Sequence, residues 1–566
     1  MKTLLSFFLI MLFTINVFGQ SSEVKKAHTI LSNRSEVNIQ FELPKTMSLS
    51  YITKFISIYN REQNTVYANV NRKELNDFLG FNIPFIINET HTAKGVASMA
   101  SSLSAFMQSW GTYPTYSQYD SLMQKLANDY PNLCEYHVLG TLTSGHKILA
   151  LRLGDNVTQQ EKEPRFLYTS TMHGDELTGY VLMLRLANYL LSNYGQNALV
   201  DSLMNNVEIW INPLANPDGT YYIDDESVSG AIRRNDNHID LNRNYPDPDD
   251  GAHPDGHPYQ EETIIFMDFA DSVAFNMSAN LHGGAEVANY PWDTWSFMPA
   301  DVLWWKYVCF EYADTAQANS NNGYFSGPSG AYGTGVINGY AWYPIYGGRQ
   351  DYMNYYQHCR EFTVELSNAK SPASSSLPYF WNANYRSLLN YMLQSHYGLQ
   401  GVVTDSITNL PLKSKVYINT YDKDSSCVFS RKLYGDYYRY LDSGYYSVSY
   451  SAPHYYSKTF DSVRVDRGQV KILNVALVPD HTSIVSFVEK SFSVYPNPAN
   501  EFMIINSKTS FNTLSLISLN GSIVKVLQTE NSNTCRVDLK GVTSGVYIIK
   551  LEDNKGNASY QKIIIQ

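Results

Sequence analysis

Between residues 165 and 366 the chain repeats a pattern that few folds accommodate. Short, nearly continuous apolar runs, "RFLYTST", "VEIWINPL" and "NMSANL", alternate with longer stretches of helical character. Such runs suit strands buried on both faces, with the intervening helices packed against them. Residues 109–397 are therefore expected to form an α/β domain whose mixed, mainly parallel sheet is flanked by helices. Open sheets of this kind bind ligands beyond the carboxyl ends of their strands. Chemistry is accordingly to be sought in the residues immediately after each run.

With 566 residues the chain is too long for one core, so several domains are expected. Residues 1–19, "MKTLLSFFLIMLFTINVFG", read as a secretory signal peptide: Lys2, an apolar stretch from Leu4 to Phe18, then small Gly19. That stretch is short of the roughly 20 residues of a spanning helix, and no later segment reads as a transmembrane helix. Residues 20–108 read as a small α+β unit that could serve as a pro-segment. In it "NTVYANV" and "FNIPFII" are strands, "NRKELNDFLG" is a helix begun by Asn71, and "GVASMASSLSAF" is a linker. From Gly398 the period shortens to two, in "GVVTDSITNLPL" and "GDYYRYLDSGYYSVSY", which predicts an all-β domain over 398–479. A linker over 480–491 leads to a second β unit, 492–566.

A formal net charge of −11 argues against nucleic acid as a partner. The five cysteines form no zinc cluster or dense disulfide framework; Cys309 and Cys359 could bridge in an oxidising compartment, or all five could be buried thiols.

The stretch after "RFLYTS" is "TMHGDELTGY". His173 and Glu176, three residues apart across a glycine turn, can face one metal ion; alternatively Asp175 and Glu176 merely offset a helix macrodipole. "NMSANLHGG" has the same form, a buried strand, then His282, then two glycines. Two such imidazoles with Glu176 make the His₂Glu set that leaves an open zinc position. His253 and His257 in "AHPDGHPYQ" look like a metal pair, but the Pro, Gly and Asp around them read as a loop.

"HGDE", "NPDG", "IDLNRNYPD", "LHGGAEVANYPWD", "GVINGYAWYPIYGGRQDY" and "EFTVELS" occur in the order found in the zinc metallocarboxypeptidases. The chain resembles that family, and within it the regulatory subfamily of carboxypeptidases D, E, M and N. The resemblance implies the carboxypeptidase fold and one zinc ion per catalytic domain, held by His173, Glu176 and His282. It implies that Asp240 orients the ring of His173, although a buried carboxylate paired with an arginine would read the same way. Glu365 resembles the general base; strand alternation puts Glu361, Thr363 and Glu365 on one face, so Glu361 is the residue to be confused with it. Arg233, seven residues before Asp240, resembles the arginine that stabilises the oxyanion, with Arg234 the alternative. Asn242 and Arg243 resemble the pair that grips a substrate's terminal carboxylate, and Tyr343, just ahead of Gly347-Gly348, its capping tyrosine.

Asp293 and Gln350 fill the subfamily's side-chain pocket, which implies preference for a C-terminal Lys or Arg; Arg349, where the family often has an apolar residue, would weaken it by turning inward. Residues 398–479 resemble the subfamily's transthyretin-like β-sandwich. "VYPNPANE", "SLNGSIVKV" and "GVYIIKL" in 492–566 resemble the β-sandwich sorting domain of type IX secretion. Together these imply an exported peptide hydrolase, released or attached to the outer surface, with peptide C-termini and the secretion machinery as partners. The competing readings are a zinc amidase acting on cell-wall peptides and a non-enzymatic carboxypeptidase-like binding protein.

Overall fold

The structure, a computed structural model, describes residues 21–88, 95–321, 323–328, 331, 333–480, 492–518, 521–553 and 557–566. The signal peptide and nearly all of the second linker lie outside them. The chain divides into two units, 1–479 and 480–566.

The first unit opens with a four-stranded antiparallel sheet built from β1 (Glu36–Glu42), β2 (Ser57–Glu62), β3 (Thr65–Asn71) and β4 (Phe85–Ile87), in the order β2-β3-β1-β4. Asn71 starts the helix Arg72–Leu79 through a capping box with Glu74, so the polar side chain satisfies amides that the first turn leaves open. The stretch expected to be a linker is partly ordered as the helix Leu103–Ser109, capped by Ser102 and anchored by buried Phe106. One apolar side chain with a core to enter is enough to convert a Ser/Ala-rich stretch into helix.

Further along, the chain builds an eight-stranded sheet from β5 (Cys134–Thr141), β6 (Lys147–Leu153), β7 (Arg165–Ser170), β8 (Glu208–Asn212), β9 (Met277–His282), β10 (Ala285–Tyr290), β11 (Val336–Asn338) and β12 (Arg360–Ser367). Its order is β11-β10-β12-β9-β7-β8-β6-β5. The central strands β8, β7, β9 and β12 run parallel; β6 and β10 flank them antiparallel, β5 pairs antiparallel with β6, and β11 pairs parallel with β10. Every residue of these four strands is buried. Phe166 and Tyr168 enter one core, with Leu184, Trp305 and Leu388 from the helices Thr178–Asn193, Val302–Ala318 and Leu377–Gln394. Leu167 enters the other, with Phe266 and Phe269 of Glu261–Val273. Covered faces explain why the runs read as continuously apolar.

Residues 398–477 form two small sheets of four strands each. A buried ionic cluster seats this region on the preceding one. Arg439 Nη2 donates to Asp301 Oδ1 (2.8 Å) and Asp422 Oδ1 (2.5 Å), and Arg360 Nη2 lies 2.7 Å from Asp301 Oδ2. Trp304 stacks on Tyr440 beside it. The second unit is one continuous five-stranded sheet rather than two separately paired ones: Phe502–Ser518 and Ile523–Asp538 make a long hairpin whose first strand serves Phe492–Tyr495 with one half and Gly545–Glu552 with the other. The five cysteines are unpaired thiols, so Cys309 and Cys359 do not bridge. No helix among the described residues is long and apolar enough to cross a membrane.

Candidate active site

The carboxyl ends of β7, β8, β9 and β12 converge on one edge. Beyond β7 the backbone turns sharply: Thr171 has φ +62°, costly for a β-branched residue. Its hydroxyl donates to Glu176 O (3.1 Å), which helps hold the turn. Gly174 passes so close to the loop after β8 that an added Cβ would lie 2.3 Å from Gly219 C, so the turn tolerates no side chain there. His173 and Glu176 thereby face His282, the last residue of β9.

His173 Nδ1, His282 Nδ1 and the Glu176 carboxylate lie within 4.8 Å of one another, all buried. The two ring nitrogens are 3.1 Å apart, and the Glu176 oxygens are 3.0 Å and 2.8 Å from them. Two ligands bonded at about 2.05 Å to one tetrahedral zinc ion would be about 3.3 Å apart. Donor set and spacing both fit zinc. Each far ring nitrogen has a polar partner, and that of His173 is the carboxylate a metal-bound imidazole calls for. His173 Nε2 meets Asp240 Oδ1 at 3.1 Å, and His282 Nε2 meets the Asn280 amide at 2.9 Å. Asn280 Nδ2 faces His282 Nε2 while its Oδ1 accepts from Thr169 Oγ1 (3.0 Å); a metal-bound His282 requires this amide turned over, so that Nε2–H donates and Nδ1 keeps its lone pair. Burial, only partly offset by Glu176, pushes His282 down to about 4, which keeps it neutral. Among the described residues, the other group able to hold a metal is Asp155, Glu161 and Glu163, so His253 and His257 belong to neither.

Asp240 makes both contacts that its sequence context left open. Oδ1 accepts from His173, and Oδ2 accepts from Arg233 Nε at 2.9 Å. Against burial, Arg233 and His173 hold its carboxyl well below the usual range. Arg233 Nη1 reaches Glu176 Oε1 at 3.3 Å, whereas Arg234 turns away to Glu36, Asn69 and Glu74. Arg233 is thus the arginine at the cluster.

Glu365 of β12 pairs in register with His282 of β9, and its Oε2 is buried with no hydrogen-bond partner among the described residues. Burial and then the Glu176 charge push its pKa well above the usual carboxylate range. An orphaned buried oxygen of this kind asks for a reacting partner. Glu361 also has one buried oxygen without a partner among the described residues, but its Oε2 is engaged with Arg349 Nη2 (3.0 Å) and Ser278 Oγ (2.8 Å), and Glu365, not Glu361, lines the cleft. Arg349 also donates to Thr169 Oγ1 and faces Phe266, so its side chain is held in the core and not among the residues lining the cleft.

Asn242, Arg243, Asn289, Asp293, Tyr343 and Glu365 line one cavity with the two histidines. Asp293 Oδ1 accepts from Gln350 Nε2 (3.0 Å) and Asn289 Nδ2 (3.3 Å), while Gln350 Oε1 and Asn289 Oδ1 are buried without donors among the described residues. Gly339 makes room: a Cβ there would fall 1.7 Å from Asp293 Oδ1. Burial pushes the Asp293 carboxyl up to about 7.

Four participants went unread in the sequence: Asn280, Asp351, Lys370 and Tyr59. Asn280 stands two residues before His282, the spacing of one strand face, and Asp351 follows Gln350 directly. Asp351 accepts the backbone N–H of Asp293 and Thr294 at 2.8 to 3.1 Å, fixing that turn. Lys370 Nζ lies 3.3 Å from Glu176 Oε1, and Tyr59 comes from the N-terminal sheet. Nothing in the local sequence marks the last two.

A His₂Glu cluster beside an unpartnered carboxylate belongs to hydrolases that use a metal ion, and likeness to known proteins narrows the class. The family described as zinc carboxypeptidase matches residues 119–387, and that described as a secretion-system C-terminal sorting domain matches 493–566. Carboxypeptidase M of Mus musculus is 33% identical over 346 residues, 59% of this chain and 76% of that protein. Carboxypeptidase D of Homo sapiens is 33% identical over 376 residues, 64% of this chain; the chain spans only 26% of that longer protein. The crystal structure of carboxypeptidase A from Helicoverpa armigera superposes with a TM-score of 0.49 at 16% identity, covering 64% of this chain and 97% of that one. The chain belongs to the zinc carboxypeptidase family. It is a metallocarboxypeptidase that uses zinc and carries a sorting domain for export by type IX secretion.

Proposed function

We propose that the protein removes single residues from peptide C-termini, with preference for Lys or Arg, using His173, Glu176 and His282 to hold zinc. The carrying observation is the set of acceptors around Asp293. Its carboxylate sits beside two amide oxygens that lack donors, Gln350 Oε1 and Asn289 Oδ1, as a guanidinium or ammonium requires. Arg349, a cation that would oppose this by turning inward, is committed to Glu361.

When bound, zinc polarises the scissile carbonyl and acidifies water. The chain's own groups do the rest. Arg243, with Asn242, receives the terminal carboxylate as a planar fork, and Tyr343 caps it, which selects for free C-termini. Arg233 donates to the oxygen that becomes negative as the carbonyl is attacked. Glu365 takes the proton of the attacking water and passes it to the nitrogen of the departing amino acid, so the amide C–N bond breaks with a neutral amine leaving. Residues 398–479 act as a transthyretin-like β-sandwich that braces the catalytic region. The grip on a free carboxylate favours this reading over the cell-wall amidase.

The deciding assay offers the purified protein peptides ending in Lys, Arg, Leu or Glu, with and without a chelator. Chelator-sensitive release of Lys and Arg well ahead of Leu is expected. Release of Leu but not Lys would reject the role given to Asp293.

A further inference from the structure

At the amino ends of its parallel strands the catalytic sheet borders a groove of about 600 Å³, a size that suits a small ligand. Arg165, the first residue of β7, lines it. The six residues of that strand, at about 3.3 Å each, set the groove about 20 Å from the cluster of His173, Glu176 and His282. One wall comes from the catalytic region, with Arg165, Phe275 and Tyr356; the other comes from the first β region, with Lys413, Phe429 and Lys432. The walls are tied together where Arg431 Nη2 donates to Glu161 O (2.7 Å) and the Tyr434 hydroxyl donates to Gln160 O (2.6 Å).

In a chain of formal net charge −11, this concavity is lined by Arg165, Lys413, Arg431 and Lys432 against one carboxylate, Asp271. Asp436 Oδ1 answers Arg431 by accepting from its Nε at 2.7 Å. Arg165, Lys413 and Lys432 make no ion pair with a carboxylate among the described residues. Arg165 is the telling one, since its side chain is only 8% exposed. Its Nη1 donates to Val273 O, and its Nε is buried with no partner among the described residues. Burial, then repulsion from Arg431, pushes its pKa down to about 10, so it stays charged at neutral pH. Glu208 offsets this only in part, because it is bound to Arg152 at 3.0 Å. His358, buried against Phe429, is pushed below the usual imidazole range and adds no charge. A buried guanidinium without a counter-charge is costly, and an anion entering the groove would supply one.

We propose that this groove binds a phosphate monoester, whose dianion Arg165, Lys413 and Lys432 receive and whose carrier lies on Phe429 and Tyr356. A planar guanidinium suits the oxygens of a phosphate, and the two ammonium groups add point charge. Three cations without carboxylates match a dianion better than the single charge of a peptide carboxylate. The volume exceeds what a bare phosphate fills, and the half-exposed rings of Phe429 and Tyr356 offer an apolar face to the rest of the ligand. One bound molecule thereby bridges the catalytic region and the first β region. The site is independent of the peptidase reading.

The test is calorimetry on the full chain at neutral pH and constant ionic strength. The probes are inorganic phosphate, phenyl phosphate and glucose 6-phosphate, the last two separating an aryl from a sugar carrier. Saturable binding of one ester, tighter than that of inorganic phosphate, is expected. Arg165→Gln should weaken it at least tenfold. Because Arg165 is buried and its variant could misfold, the exposed pair Lys413→Glu and Lys432→Glu is combined in a second variant, with the same tenfold loss expected. Lys540→Glu, in the other unit, should leave binding unchanged. No saturable binding to the wild-type chain overturns the proposal, as does binding that the double lysine variant leaves intact. Inorganic phosphate binding as tightly as both esters would remove Phe429 and Tyr356 from the site.

Discussion

Glu365 and Asp293 are both buried carboxylates on one cleft, yet their neighbours give them different work. Glu365 has an oxygen with no partner and the charge of Glu176 beside it, the setting of a group that exchanges protons. Glu365→Gln is expected to lower kcat by at least about 10³-fold while metal analysis still finds one zinc per chain; loss of zinc would mean that Glu365 is a ligand. Asp293 is cradled by amides, and burial holds its pKa near 7 in the empty pocket. Its charge, and with it the proposed preference for a cationic terminal side chain, is lost as pH falls through that value. The ratio of kcat/KM for Arg-ended over Leu-ended peptides should therefore rise from pH 6 to pH 8, and Asp293→Asn should flatten it. A flat wild-type ratio would remove Asp293 from the pocket's selectivity. The clustering of His173, Glu176 and His282 was legible because each histidine directly follows an apolar run and precedes a glycine. Lys370 was not, since its approach to Glu176 depends on how the loop after β12 folds back.

At the level of elements, two features carry the site. The turn from β7 into the helix Thr178–Asn193 depends on Gly174, where a methyl group would strike the Gly219 backbone. Gly174→Ala should displace His173 and weaken zinc retention, read as faster loss of metal to a chelator; unchanged retention would show that the loop after β8 yields freely. The second feature is the ionic cluster of Arg439, Asp301, Asp422 and Arg360 beneath the first β region. Removing one partner leaves a buried charge uncompensated, a loss of about 3–5 kcal/mol. Arg439→Ala should accordingly lower the denaturant midpoint of the first unit, with little change expected for a solvent-exposed control such as Arg464→Ala. Sequence patterning located the strands well because two covered faces leave a strong signal. It mistook the stretch around Leu103–Ser109 for a linker, since Phe106 alone reveals that a core lies within reach.

The whole molecule joins a hydrolase to its address. Deleting 492–566 should hold the protein in the periplasm, measured by fractionation against the intact chain; normal export would separate the sorting domain from transport. The family, and the two imidazoles and one carboxylate that cluster, could be had from the chain's letters, because both are written in local pattern: ordered short motifs, and apolar runs that need two covered faces with polar groups at their ends. The choice between Arg233 and Arg234 beside the His173, Glu176 and His282 cluster, and the commitment of the Arg349 charge to Glu361, emerged with the folded arrangement and not before. So did the place of Tyr59, far upstream of His173 in the chain, among the residues that line the cleft. Those outcomes depend on which distant groups meet after burial, and a guanidinium or a ring is directed by its partners rather than by its neighbours in the chain.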